Sequence, residues 1–150
     1  MSLRNQVFLH YKQQIADKID IFRDMIAALT EDASNDAKSS AGDKHETALS
    51  MMHLEQEKLN RKLSEFLDQK SILDKIDISI QTPKVVIGSL VQTNDLVVFI
   101  ATALPKISID NQNIFAISPQ SPLGKSLLGH ELGYEFQLND KKYSILTIFD

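Results

Sequence analysis

Apolar residues recur every three or four positions through the first part of the chain: Phe8, Tyr11, Ile15, Ile19, Phe22, Ile26 and Leu29. That spacing lays them along one stripe of an α-helix. A second series keeps strict 3-4 spacing: Leu49, Met52, Gln56, Leu59, Leu63, Phe66, Lys70 and Leu73. It forms a heptad seam with polar breaks at Gln56 and Lys70. Between the two lies a polar stretch over 30–42, rich in turn formers, which predicts a loop. Each stripe is too narrow to close a core alone, so the economical arrangement zips the two together, antiparallel. A helix over 43–71 is about 40 Å long at ~1.5 Å per residue. The expected loop then stands at the far tip of a thin rod, away from the second domain.

Beyond about residue 75 the period shortens. Val85-Val86-Ile87 leads into Gly88 and then Ser89-Leu90-Val91-Gln92. Leu96–Ala101, Ile114–Ile117, Tyr134–Leu138 and Tyr143–Phe149 are further strand candidates, with Asn94-Asp95 and Asn139-Asp140 as turn formers. One short helix interrupts them, with Ser121 as N-cap, Pro122 at the first helical position and Gly129 as its stop. An antiparallel sheet with one helix on a face is an α+β arrangement. The composition divides at the same place. All four prolines and four of the five glycines lie beyond position 82, while 24 of the 36 charged side chains lie within residues 1–75. The expected organisation is a helical coiled-coil hairpin over 1–74 and a strand-rich domain over 75–150.

Charge and composition then narrow the function classes. The net charge of -4 disfavours free duplex nucleic acid as a primary partner, because phosphate binding runs on clustered Lys and Arg. There are no cysteines, hence no disulfide framework, thiol nucleophile or Cys-based zinc site. The longest apolar run, Leu96–Ala101, is far too short to span a membrane, and the N-terminus has no apolar signal region. A cytoplasmic monomer with no membrane contact is the expectation. The four histidines show no H-x-x-x-H or H-E-x-x-H spacing, and no nucleophile elbow, Walker loop or dinucleotide fingerprint is present.

The informative segment is Gly42-Asp43-Lys44-His45-Glu46-Thr47-Ala48. Asp43 and Glu46, three apart at the start of the second helix, share one face. Two readings follow. Asp at an N-cap with Glu three residues later is a capping-box-like pair, favoured by the helix dipole. Alternatively, two carboxylates at a hairpin tip can supply oxygen ligands to a Mg²⁺ held mainly by another molecule. Lys58, Arg61 and Lys62 form a basic cluster on the same helix. They are either a solvated face paired with Glu55, Glu57 and Glu65, or a contact for nucleic acid or an acidic wall.

These segments resemble the Gre family of bacterial transcript-cleavage factors. The tip segment is similar to the family's G-D-x-x-E-N-A motif. Val85-Val86-Ile87-Gly88-Ser89-Leu90-Val91 and the run from Ser121-Pro122 through Gly129 to Gly133-Tyr134-Glu135-Phe136 resemble two stretches of its C-terminal domain. The resemblance implies an N-terminal antiparallel coiled coil and a C-terminal FKBP-like domain. It implies a factor that docks on bacterial RNA polymerase beside the secondary channel and passes its tip towards the active centre. There Asp43 and Glu46 would help hold a second Mg²⁺, shared with the polymerase, so that the polymerase cleaves the 3′ end of backtracked RNA. The factor would be no enzyme alone and would bind no cofactor stably. Ser121 and Pro122 would lie in the polymerase-docking surface. The chain departs from the family at Thr47, where Asn is usual, at Leu49-Ser50, where Glu-Tyr is usual, and at Tyr134, where an acid is expected. An alternative implied by relatives of this architecture is a channel-occupying regulator that modulates or inhibits transcription without cleavage. A third candidate is a peptidyl-prolyl isomerase, for which Phe99, Phe115, Tyr134, Phe136, Tyr143 and Phe149 are the available aromatics; a core role is the more economical one.

Overall fold

The computed structural model describes the backbone of residues 1–39 and 43–150, and their side chains except at 33, 36–39 and 43–46. The elements run α1 (Leu3–Ser39), α2 (Asp43–Asp74), β1 (Leu90–Thr93), β2 (Val97–Ile100), β3 (Leu104–Ile109), β4 (Gln112–Ile117), α3 (Pro122–Leu127), β5 (Glu135–Leu138) and β6 (Lys141–Ile148). This is an α+β chain: a helical pair followed by a mixed sheet with one short helix. It divides into two compact units, one comprising Met1–Gln13 with Ser71–Asp150 and the other Gln14–Lys70. Among the described residues, no helix is long and apolar enough to cross a membrane.

In the Gln14–Lys70 unit the two apolar stripes face each other. Ile15, Ile19, Leu59 and Phe66 are buried. Phe22 meets Phe66 edge-on with ring centroids 5.1 Å apart, and the Gln56 amide donates to the Thr30 hydroxyl at 3.1 Å. Partner numbers fall along α2 as they rise along α1, so the pair is antiparallel. The expected loop over 30–42 is shorter than the polarity suggests, because α1 continues to Ser39. Thr30, counted as a turn former, bonds its hydroxyl back to the Ile26 carbonyl at 2.9 Å, a local bond that helices tolerate. Gln56 keeps its place in the seam, whereas Lys70 is exposed and the adjacent Gln69 turns partly inward.

In the other unit six strands lie in the order β3-β4-β2-β1-β6-β5. The sheet is not wholly antiparallel, as the sequence suggested. β2 and β4 are parallel, with Val97 opposite Ile114 and Ile100 opposite Ile117. The chain leaves β2, places β3 one position too far out, and turns back so that β4 fills the gap. That reversal is made by Asp110 and Asn111, both at positive φ (51° and 64°); Asn139 and Asp140 do the same (52° and 64°) between β5 and β6. Paired positive φ angles are the signature of a tight two-residue hairpin, for which Asn and Asp are suited. Asn94 works differently: its side-chain amide donates to the Lys142 carbonyl and accepts from the Ser144 N–H, so it stands in for a strand residue.

β3 has no counterpart among the strands the sequence predicts, because Pro105 lies within it. As an edge strand it tolerates a residue without an N–H, and its register with β4 shifts between Leu104 and Ile107. Conversely, Val85–Ile87 form no strand; only Lys84 bridges, to Glu131. All four residues of β2 are buried, which requires cover on both faces. On one side Val85, Val91, Val98, Ile100, Leu127 and Ile145 form the core. On the other, the first turns of α1 pack down: Tyr11 stacks on Phe99 with centroids 6.0 Å apart, and Val7 is fully buried.

Candidate functional site

α2 begins at Asp43, so the Asp43–Glu46 pair occupies its first turn. The side chains of both acids, the proposed Mg²⁺ ligands, lie outside the described residues. Among the described residues, no group of three or more His, Asp or Glu side chains is placed to hold a metal ion.

The basic cluster is on the same helix. Lys58, Arg61 and Lys62 are all exposed, and the 3-4 spacing gives 58, 61 and 62 a common face. Lys62 is the least free of the three. Its ammonium lies 3.2 Å from Glu65 Oε2 and 5.4 Å from the centre of the Phe66 ring. The Lys18 ammonium approaches the same ring, at 5.6 Å. Phe66 is thus buried beneath two cations, which hold their apolar stems against the helical pair and their charged ends in water. One and two turns earlier the same strip shows Leu54 (60% exposed) and Met51 (67%). Met52 and Leu59, by contrast, turn inward.

Ser121 and Pro122 start α3. The Ser121 hydroxyl accepts from the Gly124 N–H at 3.1 Å and donates to the Ser118 carbonyl at 2.6 Å. Its hydrogen-bonding capacity therefore goes into the cap, while Pro122 at the first turn is exposed. Gly124 is required by space: a Cβ there would stand 2.1 Å from the Ser118 carbonyl oxygen. The short helix and the loop before it are thus tied together by the Ser121 hydroxyl and packed closely at Gly124.

The C-terminal end of α3 carries a feature that hydrophobic periodicity concealed. Two extended segments pair there, Val85 donating to the His130 carbonyl at 2.9 Å and Gly129 donating to the Val85 carbonyl at 2.8 Å. Around these bonds Val86, Ile87, Leu128 and Leu132 are 38%, 49%, 40% and 64% exposed. Contiguous exposed aliphatics of this kind mark interaction surfaces. In the sequence Val85-Val86-Ile87 looks like an ordinary buried strand. Only Gly88, at φ 96°, hints that the run is broken before it can join the sheet.

Of the six aromatics available for a proline pocket, three stack on one another and Phe99 stacks on Tyr11. His130, Tyr134, Phe136 and Tyr143 stack in a row, with successive centroids 3.5, 5.7 and 5.3 Å apart. Lys141 closes the row over Tyr143 and pairs with Asp95 at 2.6 Å, a hydrogen bond that raises the lysine's pKa. No protein-family model and no curated protein matches this chain.

Proposed function

We propose that the chain is a Gre-like factor that binds RNA polymerase at its secondary channel and stimulates cleavage of backtracked RNA. What carries this is the position of Asp43 and Glu46. Two carboxylates open a helix of 32 residues, about 48 Å long at ~1.5 Å per residue, in a chain that also bears an exposed aliphatic surface. A mixed sheet with one short helix is compatible with an FKBP-like domain, and the exposed aliphatics Val86, Ile87, Leu128 and Leu132, together with the exposed Pro122 at the other end of α3, are suited to docking. Asp43 and Glu46 would hold the Mg²⁺ shared with the polymerase. When bound, that ion supplies charge stabilisation and a more acidic water. The chain's own part is to bring the two carboxylates to the RNA and to hold them there by docking.

The test uses purified polymerase on a stalled, backtracked complex. Wild type should release a 3′ RNA fragment, and Asp43→Asn/Glu46→Gln should bind equally well but release none. Equal cleavage by both proteins overturns the assignment. Polymerase binding by wild type without cleavage would instead favour the channel-occupying regulator, for which Thr47, Leu49 and Ser50 are the motivating departures.

A further inference from the structure

Beside the aliphatic surface lies a cleft of about 430 Å³, walled by residues 81–83, by Glu131 and Leu132, and by Ile148 and Asp150. We propose that it is a docking groove for a partner-protein segment that carries a lysine or arginine between aliphatic side chains. This goes beyond the polymerase reading and does not depend on it.

Two features of the cleft fit that occupant together. Its apolar part is unusually open. Leu132 is 64% exposed, and the turn that presents it is bracketed by Gly129 and Gly133, at φ 83° and 88°. A Cβ at either glycine would meet nothing within 4 Å, so glycine serves the backbone there and not the packing. The cleft also carries two acids, Glu131 and Asp150, beside the neutral Gln81, Thr82 and Pro83. Neither the Glu131 nor the Asp150 carboxylate has a cation within 4 Å among the described residues. Lys84 bridges to Glu131 through the backbone only. The cation felt by Asp150 is Arg4, whose guanidinium is already committed to the carbonyls of Gly88, Ile78 and Ile80 at 2.8, 3.2 and 2.9 Å. Burial lowers the Arg4 pKa, and Asp150 and Asp77 oppose that lowering only in part, so Arg4 is shared between two carboxylates. A purely aliphatic segment would leave Glu131 without a cation and Asp150 with only its share of Arg4. A nucleic acid or an anionic lipid surface would be repelled by them. A cation set between aliphatic groups satisfies both parts of the cleft at once.

The experiment titrates the ¹⁵N-labelled full chain with acetyl-Leu-Arg-Ile-Lys-Leu-amide and, in parallel, with acetyl-Leu-Glu-Ile-Glu-Leu-amide. Saturable amide shifts at Gln81, Thr82, Leu132 and Ile148 are expected with the cationic peptide alone. Affinity should fall at least about five-fold in Glu131→Gln/Asp150→Asn and on moving from 50 to 300 mM salt, as screening requires. Each single variant provides the same comparison if the double variant does not fold, and Leu132→Ser should weaken binding without changing the salt response. Absence of saturable shifts, shifts centred on other residues, equal binding of the acidic peptide, or unchanged affinity in the carboxylate variants would each overturn the proposal. Because no polymerase is present, the outcome is separate from that of the cleavage assay.

Discussion

Tyr11 shows how one residue joins two levels of structure. Its periodicity places it on the buried stripe of α1, yet its ring stacks on β2 and its hydroxyl donates to the Pro105 carbonyl at 2.8 Å, where the β3–β4 register slips. Burial pushes its pKa up to about 12, from an ordinary value near 10. The folded chain therefore keeps the phenol proton at a pH where the unfolded chain has lost it. This contribution to stability is complete below pH 10 and fades as the pH climbs towards about 12. Tyr11→Phe should cost about 1 kcal/mol at pH 7 through the lost hydrogen bond. It should also flatten the decline in stability between pH 10 and 12, measured by urea unfolding across that range. An alkaline limb identical to wild type would show that the phenol is not the titrating group.

At the level of an element, α3 is a six-residue helix that could not persist on propensity alone. It is held by the Ser121 cap, by Leu127 in the core and by the close approach of Gly124 to the preceding loop. Ser121→Ala should cost about 1 kcal/mol, the usual value of a cap. Gly124→Ala should cost more, about 3 kcal/mol, because the new methyl must displace a backbone carbonyl oxygen. Equilibrium unfolding of the two variants gives the order directly, and equal costs would refute the steric account. If Ser121 acts in docking only through this cap, both variants should weaken polymerase binding in proportion to the α3 they lose. Pro122→Ala should then be the more specific probe of the surface.

For the whole molecule, charge decides which partners are admissible. The net charge is -4, yet Lys58, Arg61 and Lys62 gather on one face of α2. A local basic face on an acidic protein suits a contact made inside a complex better than capture of free nucleic acid. On the proposed polymerase-binding reading, Lys58→Ala/Arg61→Ala/Lys62→Ala should lower polymerase affinity by about ten-fold at low salt and less at high salt, read by fluorescence anisotropy. Affinity unchanged at every ionic strength would leave the three as a solvated face. Lys62 should contribute least, since it already pairs with Glu65 and covers Phe66.

The amino-acid pattern by itself determined the helical pair, because facing stripes of Ile15, Ile19, Phe22, Leu59 and Phe66 have no other way to leave water. It also determined α3, whose Ser121, Pro122 and Gly129 are local signals, and the Asn139-Asp140 hairpin. Local signals are legible because the residue that needs the conformation supplies it. Three things required the tertiary structure. The parallel pairing of β2 with β4 depends on where β3 is set down, which no residue in either strand encodes. β3 itself is a strand despite Pro105, because an edge position and a register shift spare the missing N–H, while the Tyr11 hydroxyl donates to the Pro105 carbonyl. Finally, Val86, Ile87, Leu128 and Leu132 carry the same aliphatic side chains as core residues. Only the fold, by breaking the chain at Gly88, Gly129 and Gly133, decided that these four should face water.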